Sequence, residues 1–595
     1  MTRHENDVDV LIVGAGPVGL CCSRLLSRMG VSNRVLERRS GLHTAPQAHV
    51  VSARSMEVFR AAGIPAEKTV AVATRPQDQG SIRWVQTLAG PVIGDLQLGS
   101  PERIMKTFAS TPTPTMNIPQ HRLEPVLFEA ASDAGAGIDF EVEWLGARQR
   151  EGGVVSEARD HKTDETLEIR SRYLLGCDGA GSPVRRALGI GMEGPAHVQS
   201  YLSLFVQGNL RHVVGEHPGL LYWHLDPLEP AVFIAHDIDS TWIFMHPYDP
   251  ERVPQDSFTP ERCRQLVEDA IGAEADFEIR ETGFWQMTCQ VADRYRDGRI
   301  FLVGDAAHRF PPTGGMGMNT GVADAFNLAW KIAAVLGGRA DDRLLATYDQ
   351  ERQPVASVNA EQSLSNHLRM IEVVEALQVD PGLSPDEARA ELRRVPEQEE
   401  RRNAVQAAID AQREHFDMLG LDLGQHYERG ALVPDGTPPP APATSTFDFV
   451  PSTRPGSRLP HAWVEGEGGR VSTLDLVDAS RPTVICGAGG ARWVAAAESL
   501  GLAAHAIGDG AALADPRGEW QAISGIGPDG VLLVRPDGHV AWRDADGSSE
   551  PGAGLEAALA AVYCTTPNAA EPSPLRGASS SEAGGDAGAP SGRNR

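Results

Sequence analysis

The turn Gly14-Ala15-Gly16-Pro17-Val18-Gly19 constrains this chain more than any other stretch. Residues 8–13 read as an apolar strand, residues 20–29 as a helix, and residues 33–36 as a second strand running into Glu37, 18 residues after Gly19. That order of strand, glycine turn, helix and strand is the context in which such a turn binds a dinucleotide. Gly14 permits the tight turn, Gly16 lets the backbone approach a pyrophosphate, and Gly19 lets helix and strand pack closely. The helix N-terminus then offers free N–H groups and partial positive charge to phosphates. Glu37 can accept both ribose hydroxyls. The turn alone does not separate FAD from NAD.

At 595 residues the chain is longer than one hydrophobic core usually serves, so two or three lobes are expected. Residues 1–190 alternate strand and helix signals and read as the first part of an α/β, Rossmann-like domain. Residues 191–285 carry short apolar runs rich in aromatics, between turn residues. They read as an inserted antiparallel β-sheet lobe. The α/β signal returns over 286–430, with a helical extension that includes two charged helices, around 386–394 and 397–413. Residues 431–454 read as a linker, 455–563 as a compact final domain, and 564–595 as a disordered tail.

Lys and Arg number 54 against 80 Asp and Glu, a formal charge of −26. So negative a surface repels nucleic acid and anionic membrane, and neither is an expected partner. The polar start shows no signal peptide, and no apolar run has the length of a membrane span. Seven scattered cysteines form no C-x-x-C pair and no zinc spacing, so no metal is expected and a cytoplasmic location is.

Two later segments extend the first motif. Residues 173–185 are a strand leading to Cys177-Asp178-Gly179, then Ser182, Val184 and Arg185. Residues 300–321 are a strand leading to Gly304-Asp305-Ala306-Ala307-His308, then Pro311-Pro312, Gly314-Gly315 and Gly317-Met318-Asn319-Thr320-Gly321. Asp305 thus falls at a strand's C-terminal end, where open α/β sheets bind ligands. Together the three motifs resemble the FAD-dependent aromatic hydroxylases, the single-component flavoprotein monooxygenases. Ala48-His49 with Arg54, Met56-Glu57-Val58, and Ile118-Pro119-Gln120 with Leu123-Glu124-Pro125 resemble the 2,4-dichlorophenol 6-monooxygenase and phenol hydroxylase branch most closely.

The resemblance implies hydroxylation of a phenolic ring by a flavin hydroperoxide, using FAD, NADPH or NADH, and dioxygen. A tailoring hydroxylase or Baeyer–Villiger oxygenase of an aromatic polyketide is the alternative. A flavoprotein reductase that makes no oxygenated product is the third reading. The cofactor set it implies is Gly14, Gly16, Pro17, Val18, Gly19, Glu37, Arg38, Gln120, Asp178, Gly304, Asp305, Pro312, Gly315, Gly317, Met318 and Asn319. Glu37 is assigned to the adenosine ribose, Asp305 to the ribityl chain and Gln120 to the ribityl or pyrophosphate region. Gln47 departs from the pattern, since many relatives carry Arg there. Met318 and Asn319 are expected just before a helix over 321–336, where N–H groups could hold negative charge on the flavin.

His49 stands, by resemblance, where phenol hydroxylase carries an acid near the substrate. An imidazole there could take or relay the phenol proton. A histidine that only hydrogen-bonds in the core is the equal alternative. Tyr222, Trp223, His224, Phe233 and His236 could line an aromatic pocket, although strand aromatics more often fill cores. Gly527, Asp529, Val534, Arg535, Pro536, Asp537 and Gly538 resemble the family's thioredoxin-like C-terminal domain. Cys486 has no partner cysteine there, so dimerisation or stability is the expected role, and a homodimer the expected assembly.

Overall fold

The computed structural model describes residues 8–439 and 445–565. The expected disordered tail lies outside the described residues from 566 onward, as do residues 440–444 of the expected linker.

Val8–Val13 is the centre of an eight-stranded sheet. Val10, Leu11 and Ile12 are fully buried, as a strand covered on both faces requires. It pairs in parallel with Asn33–Glu37 on one side and Glu165–Gly176 on the other. Gly137–Phe140 and Ile300–Leu302 extend the parallel set. The helices Pro17–Arg28 and Met316–Leu336 pack together over this sheet. The strand order brings the C-terminal ends of Val8–Val13, Glu165–Gly176 and Ile300–Leu302 side by side, so the three glycine-bearing loops converge at one edge. Backbone bonds stitch that edge: Gly14 N to Leu36 O, Cys177 N to Val13 O and Val303 N to Gly176 O.

The second lobe is a seven-stranded sheet backed by the helix Pro260–Ile271. It differs from the expected lobe in two ways. Its last two strands, Ser81–Val85 and Val92–Gln97, come from the earlier part of the chain. Its pairing is also mixed, because Leu221–His224 runs parallel to Ser81–Val85. A sequence pattern marks each strand but not its neighbour, so a strand recruited from about 140 residues upstream escapes notice.

The C-terminal domain holds a four-stranded sheet. Thr483–Gly487 and Ala503–Ile507 are parallel and joined through the helix Ala491–Ser499; Val531–Val534 and Val540–Asp544 follow antiparallel, and the helix Pro551–Val562 ends the domain. That βαβ–ββα arrangement is thioredoxin-like. Its core is continuous with the first domain, since Trp330, Ala334 and Leu344 pack with Val484, Trp493 and Val531. The described part of the linker is packed as well, with Ala431 N on Glu351 and Val433 N on Ala541 O.

Candidate active site

The Gly14–Gly19 turn is built as its sequence demands. Gly14 has φ 107°, a region favourable only to glycine, and a Cβ there would meet Cys177 O at 2.3 Å. A Cβ on Gly19 would lie 2.0 Å from Gly14 O, so helix and strand could not close. At Gly16, which caps the helix Pro17–Arg28, a Cβ would meet nothing within 4 Å. The first-turn N–H groups of that helix therefore face open space beside a glycine, a cradle that suits a pyrophosphate.

Glu37 ends its strand with a buried carboxylate. Burial opposes its ionisation, but Arg39 and the N–H groups of Ala15 and Arg39 outweigh this and hold its pKa below the usual range. Glu37 thus braces the glycine turn while remaining able to accept ribose hydroxyls. Arg38 is exposed, and Arg39 is the arginine that meets Glu37. The signal for Arg39 was its place two residues past the acid. Gln47 is exposed.

Asp178 accepts a bond from Val184 N through Oδ2, while its Oδ1 is buried with no partner. Burial pushes its pKa up. Asp305 keeps accessible surface in the short turn Gly304–Ala306, although the dense protein around its carboxyl pushes its pKa up. Gly317 lies across from it; a Cβ there would stand 3.8 Å from Asp305 Oδ1. Gln120 is buried at the start of the helix Gln120–Asp133 and donates to Glu124, whose other oxygen accepts from His43 N. A spare acceptor on Asp178, an exposed Asp305 and an open cradle at Gly16 fit FAD.

The glycine-rich loop ends sooner than expected. The helix begins at Met316, capped by Gly315 at φ 64°, so Gly317, Met318 and Asn319 occupy its first turn. The correction keeps the electrostatics, because the first four helical N–H groups are the unsatisfied ones. Pro312 is exposed and its carbonyl accepts from Gly315 N. The Asn319 side chain is spent within the protein. Its Oδ1 accepts from Ser52 N and Ser55 Oγ, and its Nδ2 donates to Val50 O and Gly315 O. Only its backbone is free to serve a ligand.

Those bonds tie the loop to the segment that carries His49. Val50 and Val51 pair with Asn117 and Met116, and Ile118 N donates to His49 O. His49 Nδ1 donates to Asn117 Oδ1 at 3.0 Å, and Asn117 Nδ2 donates to Gln79 Oε1, which fixes the amide. The tautomer therefore carries its proton on Nδ1 and leaves Nε2 as a lone-pair base. Burial lowers the His49 pKa, against the opposing Asn117 bond, so the ring is neutral at ordinary pH. His236 stands beside it, and His121 beside His236 in turn; Asn117 and His121 were missed as site residues, although both border the Gln120 motif.

Strand alternation decides which aromatics face the site. Tyr222, Phe233, Phe244 and Leu204 are in register and share one face of the second sheet. That face packs on the helix Pro260–Ile271. Tyr222 and Phe233 are fully buried there, with Tyr222 OH donating to His217 O, so they are core residues and not substrate-lining ones. His224 is buried on the same side, its pKa lowered to about 4 by burial. Trp223 lies on the opposite face, in register with Val232 and Met245. Tyr201, Ser203 and Phe205 share that face and are only half-buried.

Residues 7–363 match the model of an FAD binding domain and residues 452–565 that of the aromatic-ring hydroxylase C-terminal domain. The chain is 35% identical to 2,4-dichlorophenol 6-monooxygenase of Delftia acidovorans, over 93% of this chain and 98% of that protein. It is 34% identical to tetracenomycin A2 monooxygenase-dioxygenase of Streptomyces glaucescens, over 94% and 97%. The crystal structure of the flavin-dependent monooxygenase PieE in complex with FAD and substrate superposes with a TM-score of 0.89 at 35% identity, covering 94% of this chain and all of that one. The chain belongs to the FAD-dependent aromatic-ring hydroxylases, and is a flavoprotein monooxygenase.

Proposed function

We propose that this monooxygenase hydroxylates a phenolic ring, with NADPH or NADH as reductant and dioxygen as oxidant, and that His49 is its base. The observation that carries the reading is the neutral His49 with a free Nε2, tied by one hydrogen-bonded segment to the loop Gly315–Asn319. FAD, when bound, supplies the redox chemistry that activates oxygen. Gly14, Gly16 and the helix start at Pro17 and Val18 would hold its pyrophosphate, Glu37 its adenosine ribose, and Asp305 with Gln120 its ribityl side. The first turn of the helix Met316–Leu336 would face the ring's negative edge. His49 removes the phenol proton, which puts electron density on the ring carbons that are attacked. A simple phenol, with a pKa near 10, is hardly ionised at neutral pH, so a base is needed.

A polycyclic polyketide phenol is the second reading. The apolar, half-open sheet face bearing Trp223, Met245 and Phe205 favours it, as does the relative named tetracenomycin A2 monooxygenase-dioxygenase. A panel of monocyclic and polycyclic phenols tests both, read as stimulated NAD(P)H oxidation with products identified by mass. Oxygenated product from a phenol is expected; oxidation without any such product overturns the reading. We place the enzyme in the cytoplasm, in keeping with seven unpaired cysteines, as a homodimer to be checked by light scattering. Among the described residues no helix is long and apolar enough to cross a membrane.

A further inference from the structure

Three imidazoles converge where the two large domains meet. His236 stands near the end of the strand Ala231–Asp237, at a register shift between Ala235 and Asp237. His49 reaches it from the segment before the helix Ala53–Ala61, and His121 from the first turn of Gln120–Asp133. The His49 and His236 ring centroids are 5.3 Å apart, and those of His121 and His236 are 6.4 Å apart. His236 has 0% of its surface exposed, and among the described residues neither of its ring nitrogens has a hydrogen-bond partner. Nδ1 of His121 is likewise buried and unpartnered, although that ring, like His49, is only half-buried.

A buried polar group without a partner costs about 1–3 kcal/mol, and native proteins carry few of them. His236 carries two. Its lack of accessible surface leaves no room for a water-sized guest against the ring. The groups that can satisfy it are the imidazoles already flanking it. Two imidazoles joined in line by an N–H···N bond of about 2.9 Å have centroids a little over about 5 Å apart. The spacing between His49 and His236 already meets that distance, so ring rotation alone would make the bond. The wider gap to His121 needs a slightly larger movement of a half-buried ring.

We propose that His236 carries a proton between His49 and His121, joining the substrate side of the domain junction to solvent beside the helix Gln120–Asp133. The proposal rests on the reading of His49 as the base. As the phenolic O–H bond breaks, an N–H bond forms on His49 Nε2. His49 then turns about its Cβ–Cγ bond, giving up its bond to Asn117, and the Nε2–H bond breaks as an N–H forms on the bare nitrogen of His236. The other His236 nitrogen releases its proton to His121, which passes it to water. One proton moves, no electron does, and rotation of His236 resets its tautomer.

The charged surroundings suit passage over storage. Arg122 disfavours a cation on both His121 and His236, and is itself paired with Asp237. Arg75, Asp78 and Asp239 beyond it are paired among themselves and with Arg211. Burial holds all three rings below the ordinary histidine pKa, that of His121 at about 4, and Arg122 adds to it at His121 and His236. A proton therefore crosses without resting on any of them.

The test is stopped-flow mixing of the FAD-loaded enzyme with the phenol of greatest turnover in the panel above, starting with 2,4-dichlorophenol, in weak buffer with a pH-indicator dye. His236→Phe and His236→Gln are each expected to slow proton release by at least about tenfold, the order of a modest general-base contribution. His121→Gln should slow it too, with flavin absorbance and Tm unchanged. A group that merely filled space or held shape would be replaced adequately by Gln. Release at the wild-type rate in His236→Gln, with His49→Ala slow, overturns the relay and leaves the base standing. Wild-type release in His49→Ala overturns the base and the relay with it. Should His236→Phe fail to fold, His236→Gln and His121→Gln give the same decision.

Discussion

Two buried polar regions flank the first domain, and they are built on opposite terms. At the junction with the C-terminal domain every carboxylate is matched. Glu351 accepts from Arg535, Lys331, Asn327 and Ala431 N, and Asp537 from Arg535. Tyr427 stacks on His539 and bonds Arg352; Arg352 bonds Asp324, which holds His308 and Gly304 N next to Asp305. At the junction with the substrate sheet, among the described residues, His236 has both ring nitrogens left over, where His308 and His539 of the first junction each leave one. Ions are too costly to bury unpaired, so the first junction matches those it buries. Neutral imidazoles can be buried at bearable cost, so the second junction can keep unspent capacity for chemistry.

That contrast predicts which changes touch rate and which touch stability. The largest effect falls on the histidine side. His49→Ala is expected to lower coupled hydroxylation at neutral pH by about 10²–10⁴-fold while FAD binding and Tm stay near wild type. Hydrogen peroxide should rise as product per NAD(P)H falls. Because burial keeps His49 neutral, the wild type should hold its coupling at neutral pH, and raising pH should restore part of the mutant's rate by ionising the phenol unaided. Unchanged coupling across pH would make His49 a packing histidine and erase the contrast.

Glu351→Ala is the converse. It leaves Lys331 and Arg535, both fully buried, without their shared carboxylate, which should cost about 3–5 kcal/mol. Burial already depresses Lys331 to about 8 against the pull of Glu351, so loss of that carboxylate should drive Lys331 lower still. A fall in Tm and faster proteolysis near the linker are the expected readings. A variant as stable as wild type would mean that the ionic junction relaxes as freely as a surface.

How much of this was legible in the sequence follows from the range of each interaction. The Gly14–Gly19 turn, Glu37 and the Asp305 loop were legible because each is a local motif whose neighbours in sequence are its neighbours in space. Tyr222 and Phe233 were misplaced because composition marks an aromatic strand, while the face each residue takes depends on pairing with strands up to 140 residues away. The match of Glu351 to Arg535 crosses 184 residues, so nothing local announces it. His236 was visible only as one aromatic among several; its lack of partners exists only in three dimensions.

Asp305→Ala tests the edge both junctions support. Loss of a ribityl bond to a charged group should weaken FAD binding by about 1.5–3 kcal/mol, with little change in the apoprotein's Tm. Because Asp305 is exposed and makes no ion pair, its removal should not resemble the Glu351 variant. Titration of apoprotein with FAD measures it, and unchanged affinity would contradict the ribityl assignment.

The smallest effect is expected at Cys486. It lies fully buried in the strand Thr483–Gly487, with its thiol directed to the carbonyls of Gly490 and His505. Burial pushes its pKa up to about 11, so the nucleophilic thiolate is scarce at neutral pH. No second cysteine lies in the C-terminal sheet to resolve a mixed disulfide, since Cys564, the other cysteine in this part of the chain, follows the last helix. The thioredoxin-like fold contributes the turn between Val531–Val534 and Val540–Asp544, which carries Arg535 and Asp537 into the ionic junction. Cys486→Ser should therefore leave turnover, coupling and response to reductant within error, because serine can donate to the same carbonyls. A large loss of turnover in a folded Cys486→Ser variant would give this domain a thiol chemistry of its own, and the closed junction would then be a path for it and not only a clasp.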